Sequence, residues 1–157
     1  MRTLARQHRQ QQRGVAIIEF ALILPLLLLL TFITFEFGRA LYQYNVLVKS
    51  ARDAVRYLST QSPGDGAAVA QNLMVYGNLA GTGNPQVVGL APAQVKAPVW
   101  TLAGSNPVIN TVTVRLAGCG DSVPPCYKFT PLVSSAFGLT FAEVNFADIT
   151  ATMRAPL

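Results

Sequence analysis

The sequence has 157 residues with little charge and almost no histidine or cysteine. Charged residues make up 12% of the chain, His8 is the one histidine, and Cys119 and Cys126 are the two cysteines. A Ser-His-Asp arrangement needs a histidine, and a structural zinc site needs about four ligands. No phosphate-binding loop or dinucleotide fingerprint occurs either. The sequence therefore predicts no enzyme, no metal site, no cofactor and no small-molecule substrate.

The net charge of +5 is concentrated at the N-terminus. Four arginines and His8 lie in residues 1–14, whereas the chain from Val15 onward holds eight Lys or Arg and seven Asp or Glu. Four of the five net positive charges thus belong to a short basic leader. These arginines adjoin an apolar run and lack interleaved aromatic residues, so DNA binding is the weakest alternative and no nucleic-acid partner is expected.

A long apolar run follows the leader. Phe20 to Phe35 reads FALILPLLLLLTFITF without a charge, and the run extends back to Val15 if Glu19 is included. About 21 residues give roughly 32 Å of helix, enough to cross a bilayer. A secretory signal peptide is a competing interpretation, but the bulky and charged residues that end this run make a poor cleavage site. The basic leader predicts a cytoplasmic N-terminus.

The rest of the chain predicts an α+β fold. After Glu36 apolar residues recur every three or four positions, so the transmembrane helix continues outward as an amphipathic one. We predict a short second helix, and then a small antiparallel sheet that packs on the outer half of the long helix. Trp100 is predicted in the core, with a subunit contact as the alternative. The predicted elements are a helix over Ala67 to Tyr76 and strands over Ala93 to Leu102, Val108 to Leu116, Tyr127 to Val133 and Val144 to Arg154.

These patterns divide the chain into four segments. They are a basic leader (1–14), a transmembrane helix (15–37), its amphipathic continuation (38–60) and an exported α+β domain (61–157). In an oxidising compartment Cys119 and Cys126 would close a short disulfide loop, and in a reducing one they would be small core residues. Pro25 is either a functional bend in the span or a neutral kink.

The segment RQQQRGVAIIEFALILP carries a combination of motifs that is more specific than any one of them. Gly14 is followed by four residues and then Glu19, after which come Phe20, Ala21, Leu22 and Pro25. The run leaves the membrane through Glu36, Phe37, Gly38 and Arg39. This pattern resembles the type IV prepilin class, and specifically the TadE-like minor pilins of tight-adherence (Flp-type) pili. The resemblance extends to about residue 58, with a mild departure at Val55, where the family more often has glycine.

The resemblance implies a pilin-like fold and a set of partners. A prepilin peptidase would cut between Gly14 and Val15, where glycine leaves the backbone accessible, although Gly14 as a flexible joint is an alternative. Glu19 would pair with the terminal amine of a neighbouring subunit during assembly, although a purely local cap at its own helix terminus is an alternative.

The chain would sit in the bacterial inner membrane with a periplasmic C-terminal domain. It would act with other minor and major pilins, membrane lipid and the inner-membrane assembly platform, and could enter an extracellular pilus.

Two other functions stay open. A type II secretion pseudopilin has a start closer to Gly-Phe-Thr-Leu-Ile-Glu, from which residues 15–18 and Pro25 depart. An uncleaved, signal-anchored envelope binding protein would keep its leader and never polymerise. Whether the mature chain begins at Val15 distinguishes this last alternative from a pilin.

Overall fold

The computed structural model describes residues 2–136 and 138–155, with only the helical backbone described for residues 2–14. All side chains of the predicted leader (1–14) therefore lie outside the described part of the structure. The elements in chain order are α1 (Arg2–Leu58), α2 (Ala67–Tyr76), a short 3-10 helix (Pro92–Gln94), β1 (Val95–Ala103), β2 (Ile109–Leu116), β3 (Lys128–Phe129), β4 (Ser135–Ala136), β5 (Leu139–Thr140), β6 (Val144–Asn145) and β7 (Ile149–Arg154).

The helix α1 is one continuous element of 57 residues that contains Pro25. It begins well before Val15, because Arg and Gln in the leader are strong helix formers. Thr31 and Thr34 donate their hydroxyls to the carbonyl oxygens of Leu27 and Leu30, both at 2.8 Å, which satisfies these polar groups inside the apolar run. Among the described residues, α1 is the one helix long and apolar enough to cross a membrane.

The chain divides into two compact units. The first holds α1 up to Gly38 together with residues 131–142, and the second holds residues 39–130 and 143–155. In the second unit, β1, β2 and β7 form an antiparallel sheet in the order β1-β2-β7. Along β2 the side chains of Val112, Val114 and Leu116 are buried, while the residues between them face the other side.

The core of the second unit joins the sheet to the outer half of α1 and to α2, as the sequence predicts. Its apolar residues include Leu47, Ala51, Ala54, Val55 and Leu58 from α1, Ala70, Met74 and Val75 from α2, and Val112, Val114 and Leu116 from β2. Trp100 packs against this cluster from β1.

Helix α2 has the predicted ends, whereas two predicted strands are wrong in extent. The strand over Tyr127 to Val133 is only the two residues of β3, because Pro131 cannot donate to a sheet ladder. The strand over Val144 to Arg154 is broken between β6 and β7, where Phe146 turns inward and stacks on Tyr127. The small hairpin of β4 and β5 has no counterpart in the sequence prediction.

Candidate functional site

The predicted processing site, Gly14 and Val15, lies within the continuous helix α1. Proteases bind their substrates as extended backbone, so cleavage here requires that a turn of helix unwinds locally. Val15 is exposed. Gly14 lowers the cost of unwinding, since glycine is about 1 kcal/mol less favourable than alanine in a helix.

Glu19 is an exposed carboxylate in an otherwise apolar surface. Its neighbours Ile18 and Phe20 are also exposed, and no part of the most apolar window of α1 is buried. Among the described residues no hydrogen-bond or ion-pair partner for Glu19 is found. A charged group in a membrane segment is costly without a partner, so this position is suited to pairing with a group on another molecule.

The exit motif comprises Glu36, Phe37, Gly38 and Arg39, where the apolar run ends. Its first three residues lie on both the covered and the open side of the helix. Glu36 is 8% exposed, and its Oε1 accepts a hydrogen bond from the backbone N–H of Leu132 at 3.1 Å. Phe37, by contrast, is 64% exposed, and a Cβ added to Gly38 would meet no atom within 4 Å. Glu36 therefore has a role inside the subunit, whereas Phe37 and Gly38 are available to another molecule.

Arg39, in the second unit, is half-buried beside an aromatic ring. Its guanidinium carbon lies 5.3 Å from the centroid of the Phe129 ring, within the range of a cation–π contact. The Phe129 side chain is buried, so the cation lies against a buried ring of β3. Glu36 and Arg39 are thus held by different contacts, while Phe37 and Gly38 are open, so the four residues do not form one site.

A row of buried polar residues on α1 was not predicted from the sequence. Glu36, Gln43 and Ser50 are spaced seven residues apart and are all buried. Gln43 accepts a hydrogen bond from the Tyr127 hydroxyl at 2.7 Å, and Ser50 donates to the carbonyl of Leu47 at 2.9 Å. A heptad spacing keeps these side chains on one face of a helix, which is the signal that could have revealed them.

Tyr127 directly follows Cys126 in the sequence and bonds to Gln43 on α1. The ring is 1% exposed and stacks on Phe146, with 5.9 Å between centroids. Burial raises the pKa of Tyr127 to about 12, although the positive charge of Arg39 works in the opposite direction. The hydroxyl therefore remains a hydrogen-bond donor to Gln43 at any physiological pH.

The two cysteines, Cys119 and Cys126, form a disulfide. They are seven positions apart in the sequence, so the bond closes a short loop. The loop is anchored to the fold at its base, since the N–H of Cys119 donates to the carbonyl of Tyr127 at 3.1 Å. The N–H of Tyr127 in turn donates to the carbonyl of Ala117 at 2.7 Å. The disulfide loop thereby fixes the residue that bonds to Gln43.

Asp148 closes the other side of the same loop. Its carboxylate pairs with Arg115 and accepts hydrogen bonds from the N–H of Gly118 at 2.8 Å and the hydroxyl of Ser122 at 3.0 Å. Burial works to raise the pKa of Asp148, but the bonds from Gly118, Ser122 and Arg115 together hold it below its usual value. Among the described residues no group of three or more His, Cys, Asp or Glu could hold a metal ion.

Comparison with known proteins relates the N-terminal part of the chain to a family. Residues 14–56 match the family model described as TadE-like protein, and this range contains Gly14, Glu19 and the exit motif. No curated protein and no solved structure matches the chain. The match confirms the resemblance seen in the sequence, so residues 14–56 are a TadE-like segment, consistent with a TadE-like protein of tight-adherence pili.

Proposed function

We propose that this chain is a minor pilin of a tight-adherence pilus, with a structural or assembly-initiating role. In this proposal a prepilin peptidase cleaves after Gly14 and the mature subunit begins at Val15. The subunit is held in the bacterial inner membrane by α1, with its N-terminus cytoplasmic and the remainder of the chain periplasmic, and it can enter an extracellular pilus. Its partners are the peptidase, membrane lipid, other minor and major pilins and the assembly platform. It needs no cofactor and catalyses no reaction.

The observation that carries the proposal is the exposed carboxylate of Glu19 within the TadE-like segment. After cleavage, the new amine at Val15 and the Glu19 carboxylate lie four residues apart, on the same face of a helix. The amine of one subunit and the carboxylate of the next carry opposite charges that attract strongly in lipid. Pairing between subunits would satisfy both charges and set the stagger of neighbouring helices.

N-terminal sequencing of the protein from cells with and without the prepilin peptidase tests the processing step. We expect Val15 as the first residue in the former and an unprocessed start in the latter. An unprocessed start in both strains would reject the proposal and leave an anchored, non-polymerising envelope protein.

Replacing Glu19 with alanine tests the assembly step separately. We expect normal cleavage and membrane insertion but loss of piliation, because the terminal amine would have no carboxylate to pair with. Ile18→Ala is the matched control, since Ile18 is an exposed neighbour without charge. Normal piliation in Glu19→Ala cells would show that this residue is only a local cap.

A further inference from the structure

The described residues 131–136 and 138–142 form a small hairpin, the 131–142 hairpin, and this stretch of sequence has an unusual composition. The sequence PLVSSAFGLTFA contains no charged residue. Strands β4 and β5 pair antiparallel, and the N–H of Phe141 donates to the carbonyl of Ser134 at 2.9 Å. Leu132 is 72% exposed and Leu139 is 52% exposed. An uncharged segment that shows leucines to solvent favours an apolar environment.

The 131–142 hairpin is attached to α1 where the apolar run ends. It belongs to the same compact unit as α1 up to Gly38. One point of attachment is the hydrogen bond from the Leu132 N–H to Glu36, and Glu36 directly follows the last residue of the uncharged run. The helix face that carries Glu36 is the covered one, because Phe32, one turn earlier, is half-buried. The hairpin thus lies at the level of the helix where lipid gives way to water.

Charges return immediately outside the hairpin. Lys128 and Glu143, which flank it in sequence, form a salt bridge of 2.7 Å between two half-exposed side chains. Hydrated ion pairs of this kind belong in water, whereas Leu and Phe partition into the boundary between headgroups and acyl chains. This change from charged to uncharged sequence at both ends of the segment matches the change from water to lipid.

We infer that the 131–142 hairpin is a second membrane contact, which inserts Leu132 and Leu139 into the lipid leaflet from which α1 emerges. This inference rests on the proposed membrane anchoring by α1. The occupant of the leucine surface is phospholipid rather than a second protein, because the surface adjoins the lipid-exposed end of the span and offers no charge to specify a protein partner. Two points of contact would limit the tilt and rotation of the subunit before assembly.

The experiment uses the full chain in vesicles of phosphatidylethanolamine and phosphatidylglycerol. Single cysteines placed at Leu139 and Leu132 are labelled with a fluorophore, while the native cysteines stay bonded and unreactive. Lipids that carry a nitroxide near the headgroup quench labels at the membrane boundary, and lipids that carry a nitroxide on the acyl chain quench labels in the membrane interior. Val123, which is 82% exposed and belongs to the second unit, is the aqueous control position, and Ile23 in the apolar run is the membrane control.

We expect the labels at positions 139 and 132 to be quenched several-fold more than the label at 123. Quenching at 23 but not at 139 overturns the inference alone, whereas no quenching at 23 overturns the anchor and the hairpin contact together. A label at 139 that is shielded from aqueous iodide but not quenched by the lipid is covered by protein, which also overturns the inference. Leu139→Glu should reduce quenching at 132, and Val123→Glu should not.

Discussion

Asp148 is the residue around which the loop between β2 and β3 is organised. A backbone N–H, a hydroxyl and a guanidinium converge on its carboxylate, and its own N–H donates to Asp121 at 2.9 Å. Because the pKa of Asp148 is lowered in the folded protein, its contribution to stability is present above the unfolded pKa of about 3.9 and is lost as the pH falls through the lower folded value.

Asp148→Asn should therefore lower stability at pH 7 by about 1–3 kcal/mol, because charge-assisted hydrogen bonds become neutral ones. The variant should also lose less stability than the native chain as the pH falls below about 4. Urea unfolding of the detergent-solubilised protein across this range measures both effects. Asp65→Asn is the matched control, since Asp65 is exposed. Equal acid sensitivity of the native protein and Asp148→Asn would contradict the prediction.

Tyr127 gives the opposite pH dependence. Its pKa is raised from 10.0 to about 12, so its stabilising effect is complete below pH 10 and is lost as the pH rises toward 12. Tyr127→Phe should remove this loss of stability at alkaline pH. At neutral pH it should lower the free energy of unfolding by about 1 kcal/mol, because Gln43 loses its buried hydrogen-bond donor. Thermal unfolding at pH 7 and pH 11 is the measurement, with the exposed Tyr42→Phe as control. If Tyr127→Phe loses as much stability between pH 7 and pH 11 as the native protein, another group causes the loss.

Substitution of Gly118 and of Gly38 by alanine should change the stability of the protein in opposite directions. A Cβ at Gly118 would overlap the carbonyl oxygens of Phe146 and Ala147, so Gly118→Ala should cost about 1–3 kcal/mol. A Cβ at Gly38 meets nothing in its own chain, so Gly38→Ala should stabilise α1 by about 0.5–1 kcal/mol. Unfolding measurements on both variants test this contrast. If the stable Gly38→Ala protein fails to support piliation, the glycine serves a close approach of another subunit.

At the scale of elements, local signals were sufficient for α1, α2, β1 and β2. The apolar run, the spacing of three and four after Glu36, and the glycines at either end of α2 are all contained in short windows of sequence. The alternation of β2 likewise predicts its buried face. The TadE-like segment was recognisable for the same reason, because its motif residues fall within 43 positions, from 14 to 56.

Contacts between distant parts of the chain could not be predicted in this way. Gln43 and Tyr127 are 84 residues apart, and Glu36 and Leu132 are 96 residues apart. No periodicity in the sequence indicates that Tyr127 or Leu132 contacts α1. The acceptor of the Leu132 N–H depends on where the whole hairpin lies. The break between β6 and β7 has the same origin, since it depends on the contacts of Phe146 and Asp148 with distant residues.

The attachment of the hairpin to α1 can be tested through one backbone amide. Glu36→Ala removes the acceptor of the Leu132 N–H, so hydrogen exchange at Leu132 should become faster. Glu36→Gln keeps a carbonyl oxygen at this place and should exchange at close to the native rate, which separates loss of the bond from loss of charge. Equally fast exchange in both variants would show that the negative charge, rather than the hydrogen bond, holds the hairpin.

For the whole molecule, the disulfide stabilises the fold and also indicates the orientation of the chain in the membrane. Closing a loop of this length stabilises a fold by about 2.5 kcal/mol in the chain-entropy description. The bond persists in an oxidising compartment and is rare in a reducing one. Because the cysteines are C-terminal to the candidate membrane span, their redox state reports which side of the membrane holds the second unit.

In intact cells we therefore expect Cys119 and Cys126 to resist alkylation by a membrane-permeant maleimide until a reductant is added. The controls are a single cysteine introduced at Gln7, in the leader, and one at Val123, in the second unit. In peptidase-deficient cells that retain the leader, a membrane-impermeant maleimide that has crossed the outer membrane should label Val123→Cys but not Gln7→Cys. Labelling of the native cysteines without reduction, with protection of position 123, would place the second unit in the cytoplasm. That result would reverse the proposed orientation and remove the oxidising environment on which the stabilising loop depends.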